Sequence, residues 1–142
     1  MNFEFNVAVH LLTFLAKHDD EQFSSKQLAT LVCVNPVQLR RVSKPLLEKQ
    51  FITSTQGQRG GYKANEKTKK VKLSELFQLF QSTKSTRRLY TGNQSSECLI
   101  ASRVSKVMEK HAQHECEVLT NYYEKFTIEE TLHSILEEEK NE

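Results

Sequence analysis

Cysteine is scarce in this chain, and long apolar runs are missing from it. The 142 residues include three cysteines, Cys33, Cys98 and Cys116. This odd and sparse set argues against the disulfide framework of a small secreted protein and favours reduced thiols. No apolar run approaches the roughly 18 residues of a membrane span, and the amino terminus lacks the pattern of a secretion signal. We therefore expect a cytoplasmic protein with no membrane partner.

Motifs of catalysis are missing as well. The glycine-rich stretch Gly57–Tyr62 lacks the Gly-Lys-Ser/Thr ending of a phosphate-binding loop. No Ser/His/Asp triad, carboxylate pair or metal-bound water site stands out among the other residues. An enzyme is therefore the weakest interpretation, and we expect no cofactor.

Positive charge is concentrated in the middle of the chain. Residues 25–72 carry eleven Lys or Arg against two Glu, a net charge of +9, whereas residues 73–142 carry a net charge of −4. The whole chain has a net charge of only +2. This asymmetry indicates a surface that binds a polyanion, and a solvated basic surface without a partner is the alternative.

Apolar residues at three- and four-residue spacing predict three helices at the start of the chain. The first spans residues 3–16, the second opens at Ser24, and the third spans residues 36–49. Ser24 forms a capping-box pattern with Gln27, and Asn35 is suited to cap the third helix. Together the second and third elements predict a helix-turn-helix.

The predicted third helix has a basic outer face. Helical spacing turns four apolar residues toward a core: Leu39, Val42, Leu46 and Leu47. The outer face and its flanks then carry Val37, Gln38, Arg40, Arg41, Lys44 and Glu48. Pro45 lacks a backbone N–H, so we expect a kink near Arg41 or an early end of the helix.

A glycine-rich loop follows and joins two short apolar runs, residues 51–53 and 62–64. Three glycines in so short a loop allow positive φ and a sharp turn. Arg59 at the tip carries a charge and a donor fork that suit phosphates or a narrow minor groove. After a helix-turn-helix, such a loop predicts a DNA-binding wing.

The second half of the chain contains a long amphipathic helix. A basic strip at 67–72 and a short helix opened by Ser74 precede a loop or linker at 83–96. From Glu97 to Phe126 an apolar stripe implies a partner helix, most simply a second copy of the chain, with these expected anchors: Ile100, Val104, Val107 and Leu119. Thr127 and Glu130 predict a capped last helix.

The fold class follows from these elements. We expect a mostly α fold with a small two-stranded β wing. A winged helix-turn-helix domain would occupy residues 1–82, a loop or linker residues 83–96, and a helical dimerisation region residues 97–142.

Four short motifs resemble the Rrf2 family of bacterial winged-helix transcription regulators. They are Ser25-x-x-Leu28-Ala29, Leu39-x-x-Val42-x-x-x-Leu46, Gly57-x-x-Gly60-Gly61-Tyr62 and Leu73-x-x-Leu76. The resemblance implies a homodimer that represses or activates genes, with the amino end of the third helix in the major groove and the wing in the minor groove.

The expected DNA contacts lie on the helix-turn-helix and the wing. Amide and guanidinium groups pair with adenine and guanine, which makes Gln38 and Arg41 the expected readers of base edges. The full expected set is Lys26, Asn35, Val37, Gln38, Arg40, Arg41, Lys44, Gln58 and Arg59. The 67–72 strip would add phosphate contacts. A winged helix that binds another protein is the alternative, and steep salt dependence would distinguish DNA binding.

Some members of the family hold an iron-sulfur cluster through three cysteines between wing and dimerisation helix, where this chain has only Cys98. We therefore expect a thiol-only, cluster-free member, with an iron-sulfur or metal-sensing regulator as the alternative. His111, His114 and Cys116 could suggest a metal site, but His111 and His114, with Glu115, are more suited to a helix surface.

The expected signal is oxidation of a cysteine. With Ser96 as cap, Cys98 would fall in the first turn of the long helix, where the helix dipole favours thiolate. Arg87 and Arg88 would add positive potential. Cys33, in the turn of the helix-turn-helix, is the preferred resolving cysteine, within or between subunits. Burial of Cys33 and Cys116 as small core residues is the alternative.

Overall fold

The computed structural model describes residues 1–81 and 89–138, which form helices and one two-stranded sheet. The elements are α1 (Phe3–Lys17), α2 (Ser25–Leu31), α3 (Pro36–Glu48), β1 (Ile52–Thr55), β2 (Gly61–Ala64), a 3₁₀ turn (Thr68–Lys70), α4 (Leu73–Leu79), α5 (Leu99–Tyr123) and α6 (Ile128–Glu138). This is the expected mostly helical fold with a small β wing. Among the described helices, none has the length and apolarity to cross a membrane.

Side-chain caps fix the helix starts where the sequence predicted them. The Ser24 hydroxyl accepts from the Gln27 N–H at 3.1 Å, and the Gln27 side chain accepts from the Ser24 N–H at 2.9 Å. Asn35 Oδ1 accepts from the Gln38 N–H at 2.8 Å. Thr127 and Glu130 exchange the same pair of bonds at the start of α6. These caps satisfy amide groups that a helix leaves unpaired at its amino end.

One boundary prediction is wrong, and one of the two alternatives for Pro45 is excluded. Lys72, not Ser74, is the N-cap of α4, and the buried Ser74 hydroxyl instead donates to the Glu124 carboxylate. The third helix does not end early at Pro45, because the next turn is closed by the Lys49 N–H, which donates to the Pro45 carbonyl at 3.0 Å. Proline removes one hydrogen bond from the helix and leaves its own carbonyl available.

The core is built around α1. Its fully buried leucines join those of α2, α3 and α4 in one cluster, which contains Leu11, Leu12, Leu15, Leu28, Leu39, Leu46 and Leu76. The end of α5 and the start of α6 join the same core through Tyr123 and Ile128. The expected domains 1–82 and 97–142 therefore share one core, and independent folding of either stays a prediction. The expected loop falls partly on residues 82–88, outside the described residues, as do Arg87 and Arg88.

The winged region, residues 1–81, and the α5–α6 turn meet at a junction formed by residues 71–74 and 124–128. The Leu73 N–H donates to the Phe126 carbonyl at 2.9 Å, and the Ile128 N–H donates to the Val71 carbonyl at 2.8 Å. The Lys72 ammonium and the Ser74 hydroxyl both bind the Glu124 carboxylate. Backbone and side-chain contacts thus fix the end of α5 to the winged region.

The junction should weaken in acid. Hydrogen bonds from Lys72 and then Ser74 lower the pKa of Glu124, while the same carboxylate raises the pKa of Lys72. A depressed carboxyl pKa contributes stability above the unfolded value of about 4.3, and that contribution is lost as the pH falls through the folded value. We expect Glu124→Gln to flatten the acid side of the stability curve measured by urea unfolding between pH 7 and 3. Glu109→Gln, at an exposed position of α5, should leave that slope unchanged.

Candidate nucleic-acid interface

The amino-terminal half of α3 presents its polar face to solvent. Val37 is 64% exposed, Arg40, Arg41 and Lys44 are exposed, and Gln38 is half-buried. The opposite face packs Leu39, Val42 and Leu46 into the core. The structure thus brings four of the predicted contact residues of α3 to one open surface, next to the helix start that Asn35 caps.

Arg41 has an acidic neighbour that the sequence did not reveal. Its Nη1 atom lies 3.8 Å from Oε1 of Glu4, in the first turn of α1. Both side chains are more than a third exposed, so the pair contributes little to stability. Glu4 is 37 residues away along the chain, and no local pattern places it beside the third helix. An electrostatic partner for Arg41 is therefore present before any ligand binds.

The wing is a tight antiparallel hairpin. Ile52 pairs with Ala64 and Thr55 pairs with Gly61, so both strands are slightly longer than predicted. Gly57 has a φ of +112°. A Cβ on Gly60 would lie 2.4 Å from the Thr55 carbonyl oxygen, and one on Gly61 would lie 2.2 Å from the Phe23 carbonyl oxygen. Close backbone approach, more than positive φ, therefore requires the last two glycines.

The wing is also tied to the segment between α1 and α2. Phe23 and Tyr62 exchange two backbone hydrogen bonds, at 3.0 and 2.7 Å. The Gln22 side-chain amide donates to the Arg59 carbonyl at 3.1 Å and to the Thr55 hydroxyl. No local sequence pattern indicated these contacts. The wing tip therefore has a fixed backbone while the Arg59 side chain remains exposed.

The basic strip at 67–72 is partly neutralised. Lys69 lies 2.9 Å from Asp19, and this contact lowers the pKa of Asp19 and raises that of Lys69. Lys72 is bound to Glu124. Two lysines of the strip are thus paired with carboxylates of the same chain, which makes the strip a weaker source of phosphate contacts than the sequence suggested.

Cys98 is two positions earlier relative to its helix than predicted. The helix begins at Leu99, so Cys98 is the N-cap instead of a first-turn residue, and Ser96 accepts a hydrogen bond from the Cys98 N–H at 3.2 Å. The Cys98 thiol is exposed. Backbone N–H groups of Ala101 and then Ile100 lower its pKa, although the sulfur makes no capping hydrogen bond within the described residues. The pKa shift has the direction expected at a helix start, and a redox role of Cys98 stays a prediction.

The other two cysteines differ in environment. Cys33 lies in the α2–α3 turn, is exposed, and has a φ of 62°. Cys116 is half-buried on α5, where its sulfur accepts from the Gln81 amide at 2.9 Å. Burial as a core residue therefore does not apply to Cys33. Eighteen residues of helix, about 27 Å, separate Cys98 from Cys116, so the two cannot form a disulfide within one α5.

The long helix has two distinct apolar faces. One face packs onto the winged region through Cys116, Leu119 and Tyr123, at three- and four-residue spacing. The other face exposes Ile100, Val107, Val118 and Tyr122, with Val104 half-buried among them. Three of the expected dimer anchors thus lie on the open face, whereas Leu119 packs against the chain's own core.

Solved structures share this fold. A Lactobacillus plantarum protein described as a transcriptional regulator matches with a TM-score of 0.83 and 27% identity over 99% of each chain. IscR of T. potens matches with a TM-score of 0.64 and 14% identity over 95% of this chain and 87% of that one. CymR, described as the global cysteine regulator of B. subtilis, matches with a TM-score of 0.60 and 16% identity over 94% and 96%. No curated protein is significantly similar in sequence.

The Rrf2 family model, described as an iron-dependent transcriptional regulator, matches residues 1–134. The donor side chains of residues 1–81 and 89–138 do not fit an iron site. Among the described residues no three His, Cys, Asp or Glu side chains are grouped closely enough to hold a metal. The sequence of residues 82–88, Ser-Thr-Lys-Ser-Thr-Arg-Arg, adds none of these four residue types.

The helical fold, the winged hairpin and the family match over residues 1–134 all indicate the same group of proteins. Transcription regulation through DNA binding, and not catalysis, is the activity of this group. The chain belongs to the Rrf2 family of transcriptional regulators.

Proposed function

We propose that the protein is a homodimeric regulator that reads its operator with α3 and the wing. The observation that carries the proposal is the open face of α3 beside a wing of fixed backbone. Gln38 and Arg41 would contact base edges, and Val37 would contact a thymine methyl group. Phosphate contacts would come from Lys26, Asn35, Arg40, Lys44 and Gln58. Repression by occupying the operator is the simplest outcome.

The test is selection of bound sequences from random duplex DNA, with the reduced protein. We expect a two-fold symmetric operator, because a symmetric dimer presents two equivalent reading surfaces. Affinity should fall steeply with added salt, since each neutralised phosphate releases counterions. No enriched sequence, together with salt-independent capture of a protein partner, would favour the interaction-module alternative.

Replacing Arg41 or Arg59 by alanine should impair DNA binding in different ways. We expect Arg41→Ala to relax base preference at one position of each half-site, because a bidentate contact to a base is lost. Arg59→Ala should instead weaken binding and reduce the preference for a narrow minor groove. Each loss should be about 1 to 3 kcal/mol, measured by titration at constant salt.

Lys49→Ala is the matched control, because Lys49 is an exposed cation at the opposite end of α3. Affinity of both arginine variants equal to that of Lys49→Ala would contradict the proposed contacts. Because Glu4 already lies beside Arg41, we expect one further result. In Arg41→Ala, the slope of the logarithm of affinity against the logarithm of salt concentration should decrease by no more than about one.

Dimerisation through the open face of α5 is supported by exposure and spacing. Ile100 is 77% exposed and Val107 is 52% exposed, and both lie in a shallow groove with Leu99, Arg103 and Val104. Exposed apolar patches of this kind mark interaction sites. A second α5, related by a two-fold axis, presents the same apolar side chains and would cover them.

Redox regulation through Cys98 is supported by its exposure and its lowered pKa. The Cys98 thiolate would attack a peroxide or a hypohalous acid, forming a sulfenic acid and releasing hydroxide or halide. A second thiol would then attack the sulfenic sulfur, forming a disulfide and releasing water. Two thiols are oxidised and one oxidant is reduced.

Pairing of Cys98 with Cys33 of the partner subunit is favoured over pairing within one chain. Tyr123 is anchored in the core, and α5 carries Cys98 about 37 Å away from it. Cys33 lies in the α2–α3 turn of the winged region and is exposed. Antiparallel packing of two α5 helices would bring the Cys98 end of one subunit toward the winged region of the other.

A further inference from the structure

Backbone and side-chain contacts both hold the junction between the winged region and α5. Two backbone hydrogen bonds join its two segments, residues 71–74 and 124–128, and Glu124 binds both Lys72 and Ser74. The C-cap of α5 is Glu124 itself. One carboxylate at the last position of the helix therefore links α5 to the two residues that open α4.

Aromatic packing fixes the same end of α5 from the core side. The Tyr123 ring centroid lies 5.1 Å from that of Phe5 and 5.2 Å from that of Phe77. Toward its amino end α5 is exposed over most of its length. The helix is thus held firmly at one end and projects from the winged region at the other.

We propose that Glu124 is a positioning residue that sets which half-site spacing the dimer accepts. The inference rests on the proposed function, because it requires two winged regions joined through α5. A rotation of about 10° at the junction would move the far end of a helix of about 37 Å by about 6 Å. One added base pair moves the half-sites by about 3.4 Å and turns them by about 35°. A rotation of only a few degrees at the junction would therefore match the shift of one base pair, so the stiffness of the junction determines tolerance to spacing.

Glu124 would thus affect the accepted half-site spacing without contacting DNA itself. Glu124 carries a negative charge and lies outside α3 and the wing, so it is unsuited to bind phosphate. Its effect is expected only where two half-sites are engaged together. Affinity for a single half-site should not depend on it.

The test uses the selected operator and versions with one or two base pairs added or removed at its centre. We expect the parent protein to lose about tenfold or more in affinity for a one-base-pair change, because DNA or protein must deform. Glu124→Ala should lose about threefold or less, while its affinity for a single half-site equals that of the parent. The double variant Lys72→Glu with Glu124→Lys, which restores the ion pair, should recover part of the parent's discrimination.

Lys72→Gln is a second variant that breaks the same ion pair. The Lys72 side chain is exposed and is not needed to fill the core. The variant should broaden spacing tolerance in the same direction, and Glu109→Ala should not. A parent that discriminates spacing, with both junction variants discriminating equally well, overturns the inference and leaves the proposed function intact. A parent that selects no two-fold operator contradicts the proposed function itself.

Discussion

Replacing Ile100 and Val107 together by aspartate should yield a folded monomer with at least about a hundredfold weaker operator affinity. Both side chains are exposed on the open face of α5, so the change removes no core contact. Two aspartates on that face would face their symmetry copies and oppose pairing. Loss of the second reading surface removes an avidity gain of about 10² to 10⁴. Sedimentation and operator titration measure the two effects.

A matched control keeps the same spacing on the other side of the helix. Lys106→Asp and Gln113→Asp are also seven residues apart, are exposed, and lie away from the apolar face. This pair should remain dimeric. A dimer of unchanged stability in the Ile100 and Val107 variant would place the subunit interface elsewhere and exclude the α5 face.

Substituting Cys98 by serine should abolish the response of DNA binding to mild peroxide. The exposed thiol with a lowered pKa is the species that oxidants attack first. We expect the parent to change its operator affinity by about tenfold or more on oxidation, the order expected when a reading helix is displaced from a contact of 1 to 3 kcal/mol. Iodoacetamide should also label Cys98 faster than Cys33 or Cys116 at neutral pH.

Non-reducing gels identify the partner thiol. A crosslinked dimer that is absent from both Cys98→Ser and Cys33→Ser, yet present in Cys116→Ser, would support pairing between subunits. If Cys98→Ser responds to oxidant like the parent, Cys98 is not the sensor. If only Cys33→Ser responds normally, Cys98 acts through Cys116 of the partner subunit or through a mixed disulfide with a small thiol.

Local sequence signals predicted the helices and the wing well because their causes are local. The capping boxes at Ser24 and Thr127 depend on residues three positions apart, and each forms as expected. The hairpin follows from glycines within a few residues. The start of the long helix was misplaced by two residues because Glu97, Cys98 and Leu99 carry no strong cap signal, a common uncertainty at helix ends.

Long-range electrostatic partners could not be predicted in this way. Glu124 meets Lys72 across 52 residues, and Gln22 reaches the Arg59 carbonyl across 37. Contacts between residues so far apart along the chain leave no pattern of local spacing in the sequence. The position of Glu4 beside Arg41 could not be predicted for the same reason. The exposed face of α3 was predictable because Leu39, Val42 and Leu46 at helical spacing had to turn toward the core.

The packing of α6 against α1 has a consequence for synthesis on the ribosome. Ile128 is fully buried, and α6 covers a face of α1 that is made more than a hundred residues earlier. At a synthesis rate of about 5 to 20 residues per second, that apolar face stays uncovered for roughly 5 to 20 s before α6 is made. The nascent winged region therefore emerges with part of its core open, and it is during this interval that the chain most needs a chaperone.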